Sequence, residues 1–96
     1  MGNIGFDWNL PKARSNLAKH GVSFEEAQTV FLDDNARLID DPDHSEEEER
    51  FVLLGYSFQG HCLVVHHCYR HSDAVIRLIS ARRATAREEE EYWNFQ

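Results

Sequence analysis

The stretch "VIRLISARRAT", Val75 to Thr85, sets Arg77, Arg82 and Arg83 in or at the end of what otherwise reads as a buried strand. A guanidinium always carries charge, and its planar fork of N–H donors fits phosphate or carboxylate oxygens two at a time. Unpaired in a core it would be costly, so these arginines belong on a surface that meets an anion. Arg70 closes the preceding run, "HCLVVHHCYR", and adds a further cation. His20, at the end of "PKARSNLAKH", is a candidate for moving a proton. Imidazole changes charge near neutral pH, and the negative end of a helix favours a cation there. A plain helix-ending cap is the other reading of His20.

The net charge of -7 looks unsuited to a polyanion, but it is unevenly spread. Residues 46–49 and 88–91 are runs of glutamate, whereas residues 50–87 hold six arginines against one acid, Asp73, and so carry +5. A bound anion responds to this local field more than to the total. The plainer alternative is that the arginines pair with the chain's own glutamates on a solvated surface.

Histidines and cysteines gather as His61, Cys62, His66, His67 and Cys68. Zinc needs about four converging ligands, usually from paired short motifs. Here there is no second pair, and the consecutive His66 and His67 point to opposite faces of a strand. No metal or cofactor is expected. Cys62 and Cys68 share one strand face too far apart to bridge, so free thiols of a reducing compartment are expected.

The elements that must position these groups follow from pattern. "GFDWN" (5–9) reads as a first strand, and Pro11 and Gly21 bracket a helix over 11–20 carrying Ala13 and Leu17. Ser23 with Glu26 forms a capping box for a helix from 24 to 32, whose core face is Phe24, Ala27, Val30 and Phe31. A strand over 36–41 ends at Pro42, and Ser45 with Glu48 can cap a single helical turn. Runs 50–58, 61–70 and 74–82 form a meander, and Thr85 with Glu88 opens a helix over 86–94. The order β-α-α-β-β-β-β-α predicts one α+β domain over residues 1–96, an antiparallel sheet with helices packed on one face and the other face partly open. Alternation sends Ile76, Leu78, Ser80 and Arg82 one way, and Val75, Arg77, Ile79, Ala81 and Arg83 the other. Arg77 and Arg82 therefore oppose each other unless a bulge or twist near Ser80–Ala81 re-aims one. At 42% hydrophobic and 28% charged, the chain is globular in composition, without an apolar run long enough for a bilayer. Its start lacks a signal-peptide pattern, so a cytoplasmic protein is expected.

Four blocks, "FDWNLPKARSNLAKHGVSFEEAQTVFLD", "DHSEEEER", "LLGYSFQGHCLVV" and "IRLISARRAT", in this order and spacing, resemble the BrnT toxins over about residues 6–92. The resemblance implies a RelE-like fold with a small twisted antiparallel sheet. It implies a bacterial type II toxin acting as an endoribonuclease, held inactive by a BrnA-like ribbon-helix-helix antitoxin. Through that antitoxin alone would the complex reach DNA, repressing its own operon. Carried over residue by residue, the resemblance assigns Arg77 and Arg82 to the scissile phosphate and Arg70 to a supporting phosphate contact. It makes His20 a general acid or base, with Lys19 and Lys12 adding charge along the RNA, and gives Arg83 no special role. His61 stands where the family carries arginine or lysine. The "HHC" run replaces a threonine-containing stretch, leaving His66 and His67 either to transfer protons or to pack. The other function class open to this sequence is an idle module whose arginines dock a carboxylate-bearing partner.

Overall fold

A computed structural model describes residues 5–40, 50–70 and 74–95. Along the chain run β1 (Gly5–Asp7), α1 (Leu10–His20), α2 (Phe24–Gln28), a 3-10 turn (Thr29–Leu32), β2 (Arg37–Asp40), β3 (Phe51–Tyr56), β4 (Cys62–Arg70), β5 (Val75–Arg83) and α3 (Ala86–Asn94). The helical turn expected at Ser45–Glu48 lies outside the described residues.

Local chemistry sets the helix ends. The Asn9 side chain accepts from the Lys12 N–H, and Gly21, at φ 71°, closes α1 with its N–H on the Leu17 carbonyl. That left-handed conformation costs glycine little. Ser23 caps α2 by accepting from the Glu26 N–H. The Glu26 carboxylate does not complete the expected box, because it is drawn to the β3–β4 turn. Thr85 and Glu88 form both halves of a capping box on α3.

The sheet order is β1-β5-β4-β3-β2. Every neighbouring pair is antiparallel except β1 and β5, which are parallel. The expected all-antiparallel sheet is therefore a mixed one. The chain leaves β1, passes through both first helices to the far edge, and meanders back until β5 lies beside β1 in the same direction.

The helices do not share one face, which corrects the second expectation. Val22, Phe24, Ala27 and Val30 pack on Leu53, Leu63, Val65, Ile76, Leu78 and Ala81 in one layer. On the other face Tyr92 of α3 packs on Val52, Leu54, Cys62 and Val64. The reason is visible in "FVLLGY" and "CLVV": runs apolar at every position must be covered on both sides. Asp33 secures α3, its Oδ2 accepting from the Tyr92 hydroxyl at 2.8 Å and from the Tyr56 N–H at 2.9 Å. Burial pushes the Asp33 carboxyl up, but these donors and the Asn35 N–H outweigh it and hold it below the usual range. Gly55 lets β3 pass this close, since a Cβ there would lie 2.9 Å from both Ala36 Cβ and Asp33 Oδ2.

In α1 the inward residue is Asn16, 7% exposed, while Leu17, counted above with the apolar stripe, is 51% exposed. His67 is fully buried among Phe31, Phe51 and Tyr69. Its Nδ1 lies 3.2 Å from the Val65 carbonyl, and its Nε2 has no hydrogen-bond partner among the described residues. Burial pushes its pKa down to about 4, so His67 is a neutral packing group and not a proton carrier. Cys62 and Cys68 are both buried, and burial raises the Cys62 thiol to about 11.

Candidate nucleic-acid interface

The geometry of the arginines turns on one residue. Between β4 and β5, His66 pairs with Ser80 but His67 pairs with Leu78, leaving Ile79 as an extra residue on β5. A β-bulge of this kind resets the alternation by one. Before it, Ile76 and Leu78 face the core layer of α1 and α2; after it, Ala81 does. Ser80 and Arg82 thereby join Arg77 on the other face, contrary to plain alternation.

Arg77 and Arg82 each already hold a carboxylate. Arg82 meets Glu88 bidentately, with Nη1 and Nη2 each 2.8 Å from a carboxylate oxygen, and Nη1 also donates to its neighbour's carbonyl. The Arg82 guanidinium holds Glu88 down at about 2, and Glu88 in turn raises Arg82. Arg77 has a single 3.2 Å contact with Asp7, whose strand β1 pairs in register with it. The Asp7 side chain stays open to solvent, so this pair is the weaker hold. Arg77 is thus the cation with more donors left for an incoming anion.

Arg70 ends β4 exposed, beside Val75. The α1 candidates sit elsewhere: Lys12 and Lys19 are exposed and His20 is half-buried in the last turn. Ala13 of α1 packs on the core layer opposite the arginine face. The fold therefore groups the predicted residues in two sets, Arg70, Arg77 and Arg82 on one side of β5, and Lys12, Lys19 and His20 toward the other. Where they approach, Asn16 joins α1 to β5 by its hydrogen bonds to Ala81.

A second polar cluster was not foreseen. At the β3–β4 turn, Glu26 Oε2 lies 2.6 Å from the Ser57 hydroxyl and 2.7 Å from His61 Nδ1. The Gln59 amide, with its nitrogen toward Glu26, adds contacts of 3.0 and 3.2 Å. Thr29 Oγ1 accepts from the Phe58 N–H at 2.8 Å, which ties the turn to the end of α2 a second time. The signal was the departure at His61, an imidazole following a hairpin glycine, but its carboxylate partner is 35 residues away.

Among family models, the one described as "Ribonuclease toxin, BrnT, of type II toxin-antitoxin system" matches residues 8–88. The crystal structure of the Brucella abortus ribonuclease toxin, BrnT, is similar in fold, with a TM-score of 0.64 and 22% identity. That match covers 88% of this chain and 99% of the Brucella one. No curated protein matches the chain closely enough to count as a relative.

Proposed function

We infer that this chain, which belongs to the BrnT family of type II toxin-antitoxin ribonucleases, cleaves RNA through attack of a 2′-hydroxyl on the adjoining phosphate, without a metal in the step. The observation that carries this reading is the bulge at Ile79, which gives Arg77 and Arg82 a common face. In the reaction the 2′-oxygen forms a bond to phosphorus as the bond to the 5′-oxygen breaks, and negative charge builds on the other phosphoryl oxygens. Two guanidiniums held on one strand meet that charge once phosphate displaces their carboxylate partners, the kind of contact worth on the order of 100-fold or more in rate. Arg70 lies along the RNA backbone on the arginine side. His20, which takes the 2′-hydroxyl proton or protonates the leaving 5′-oxygen, lies with Lys12 and Lys19 toward the other side of β5. This reading therefore requires the RNA to cross the β5 edge near Asn16. Phosphate must compete with Glu88 for Arg82, so Arg77 makes the first contact.

The same reading gives the protein a ribbon-helix-helix antitoxin of the BrnA kind, a RelE-like fold and a cytoplasmic place of action. Among the described residues no helix is long and apolar enough to cross a membrane. The test is to induce the chain without antitoxin and follow growth and RNA integrity. Arrest with RNA cleavage is expected, relieved by Arg77→Ala or Arg82→Ala in variants that still fold. Normal growth with intact RNA rules the reading out.

The Arg82–Glu88 fork supports the second reading, an idle module, because it shows a guanidinium of this face binding a carboxylate. In that case the same two substitutions abolish complex formation with the antitoxin and there is no RNA cleavage to lose.

A further inference from the structure

The β3–β4 turn is built more firmly than a surface turn requires. Ser57 N–H donates to the His61 carbonyl at 2.8 Å, Gly60 N–H to the Ser57 carbonyl at 2.9 Å, and the Ser57 hydroxyl oxygen receives the His61 N–H at 3.2 Å. Glu26 and Thr29 then anchor it to α2 and the turn that follows. Glu26 is nearly buried, its side chain 9% exposed, while the His61 ring it holds is 38% exposed. Because Nδ1 faces Glu26, the other ring nitrogen, Nε2, is the one left for an outside group. On this rigid frame Phe58 stands 85% exposed.

We propose that the β3–β4 turn is a single-stranded RNA contact, in which Phe58 stacks on a nucleobase and His61 Nε2 hydrogen-bonds the adjoining ribose or phosphate. The proposal rests on the ribonuclease reading above and names where the RNA runs beyond the arginines. A nucleobase stacks on any exposed aromatic face, and with the turn's backbone held by hydrogen bonds only the ring's own rotamers remain to be ordered on binding. The carboxylate behind the imidazole orients the ring whichever protonation state meets the RNA. Neutral, Nε2 accepts from a 2′-hydroxyl; protonated, it donates to a phosphate oxygen while Glu26 balances the charge.

Position agrees with chemistry. Arg82 pairs with Val64, three residues beyond His61, so the turn lies on the order of 10 Å from Arg82 along β4. That span is one or two nucleotides of an extended strand. His61 lies toward the α2 side that holds Glu26 and Arg82 toward α3, with the RNA passing round this end of the sheet. Arg83, exposed and paired with Leu63, adds a cation at the same end of the sheet. The combination of one ring, one oriented imidazole and one arginine suits a nucleotide better than a protein, which would favour a continuous apolar patch.

The test measures binding of a fluorescent 2′-O-methyl oligoribonucleotide, which keeps the bases and phosphates but has no 2′-hydroxyl to attack or to donate, so it reads the stacking and the imidazole–phosphate contact. Phe58→Ala is expected to weaken it about tenfold and His61→Ala several-fold, while Leu10→Ala, an exposed apolar control elsewhere, leaves it unchanged. Phe58 packs in neither core, so its truncation spares the fold; His61→Ala is paired with a thermal melt. If both variants bind as wild type does while Arg82→Ala binds more weakly, the proposal falls and the ribonuclease reading stands. If they keep RNA affinity and lose affinity for the purified antitoxin, the turn is a protein contact and the proposal falls again. A wild-type chain that does not bind the oligonucleotide also overturns it, and the RNA-integrity assay then decides separately on the ribonuclease reading.

Discussion

The side chain of Asn16 pairs with the backbone of Ala81 as a neighbouring strand would. Its Nδ2 donates to the Ala81 carbonyl at 2.8 Å, and its Oδ1 accepts from the Ala81 N–H at 3.0 Å. The same Nδ2 donates to the Val22 carbonyl at 2.9 Å. β1 pairs β5 only as far as Arg77, so beyond that point β5 has an edge with no strand beside it among the described residues. One buried amide completes it and fixes α1 to the stretch that carries Arg82.

Replacing Asn16 should therefore cost more than one helix residue normally does. Asn16→Leu leaves the Ala81 N–H and carbonyl and the Val22 carbonyl without partners, at about 1–3 kcal/mol per buried group. The expected loss is roughly 3 kcal/mol or more in denaturant unfolding, with a fall in Tm. A loss under about 0.5 kcal/mol would show that water replaces the amide and that the edge needs no side-chain partner.

The bulge absorbs Ile79 as a surplus residue, whatever its side chain. Ile79→Ala keeps the extra residue and should leave RNA cleavage within a fewfold of wild type. Deleting Ile79 leaves Arg77 and Arg82 four positions apart, so plain alternation alone keeps both on one face, with Leu78 and Ala81 still in the core layer. The deletion should therefore fold and keep RNA cleavage within about tenfold of wild type, because a regular ladder replaces the bulge and no guanidinium is buried. Thermal melts and cleavage assays on the two variants check this; an unfolded or inactive deletion would mean that the bulge does more than align the two arginines.

His67 makes stability depend on pH. Its folded pKa of about 4 lies below the ordinary histidine value of 6.5, so between these values the unfolded chain binds a proton that the folded chain refuses. Stability from this group is level above about pH 7, falls as pH drops from 6.5 to 4, and changes no further below that. The total is on the order of 3 kcal/mol. His67→Phe, which keeps a ring among Phe31, Phe51 and Tyr69, should flatten the profile across that window. An unchanged pH slope in the variant would assign the loss to another group.

Glu88 links the helix cap to the anion site. Glu88→Gln keeps a side chain able to reach the Thr85 N–H, but removes the charge held by Arg82. Stability at neutral pH should fall by about 1 kcal/mol or less, and RNA should bind about threefold more tightly because Arg82 is released. Glu88→Ala loses the cap as well and should be the less stable of the two. Titration with an uncleavable oligonucleotide reads the affinity; weaker binding by Glu88→Gln would mean that Glu88 helps to position Arg82 for RNA.

Much of this was legible from neighbouring residues alone. Pro11, Gly21, Ser23 and the Thr85–Glu88 box act within one helical turn, so helix ends can be read directly from the letters. The faces of β4 followed from alternation, with Leu63 and Val65 in one layer and Cys62 and Val64 in the other. The arginines stood out by type and by family pattern, and BrnT membership was carried by blocks spread along the chain.

What needed the tertiary structure was every relationship in which distant residues share one space. The bulge at Ile79 exists because β5 must match β4, Asn16 and β1 together, and no local preference in "RLISAR" announces it. Asn16 turned inward over Leu17 because an unpaired strand edge elsewhere in the chain needed its amide. Glu26 left its own helix cap because Ser57 and His61 offered better donors across the fold. Sequence alone determined which groups this protein has and which elements carry them. Only the packing decided which faces they share, because a one-residue change of register, or one buried donor without a partner, costs more than any local propensity supplies.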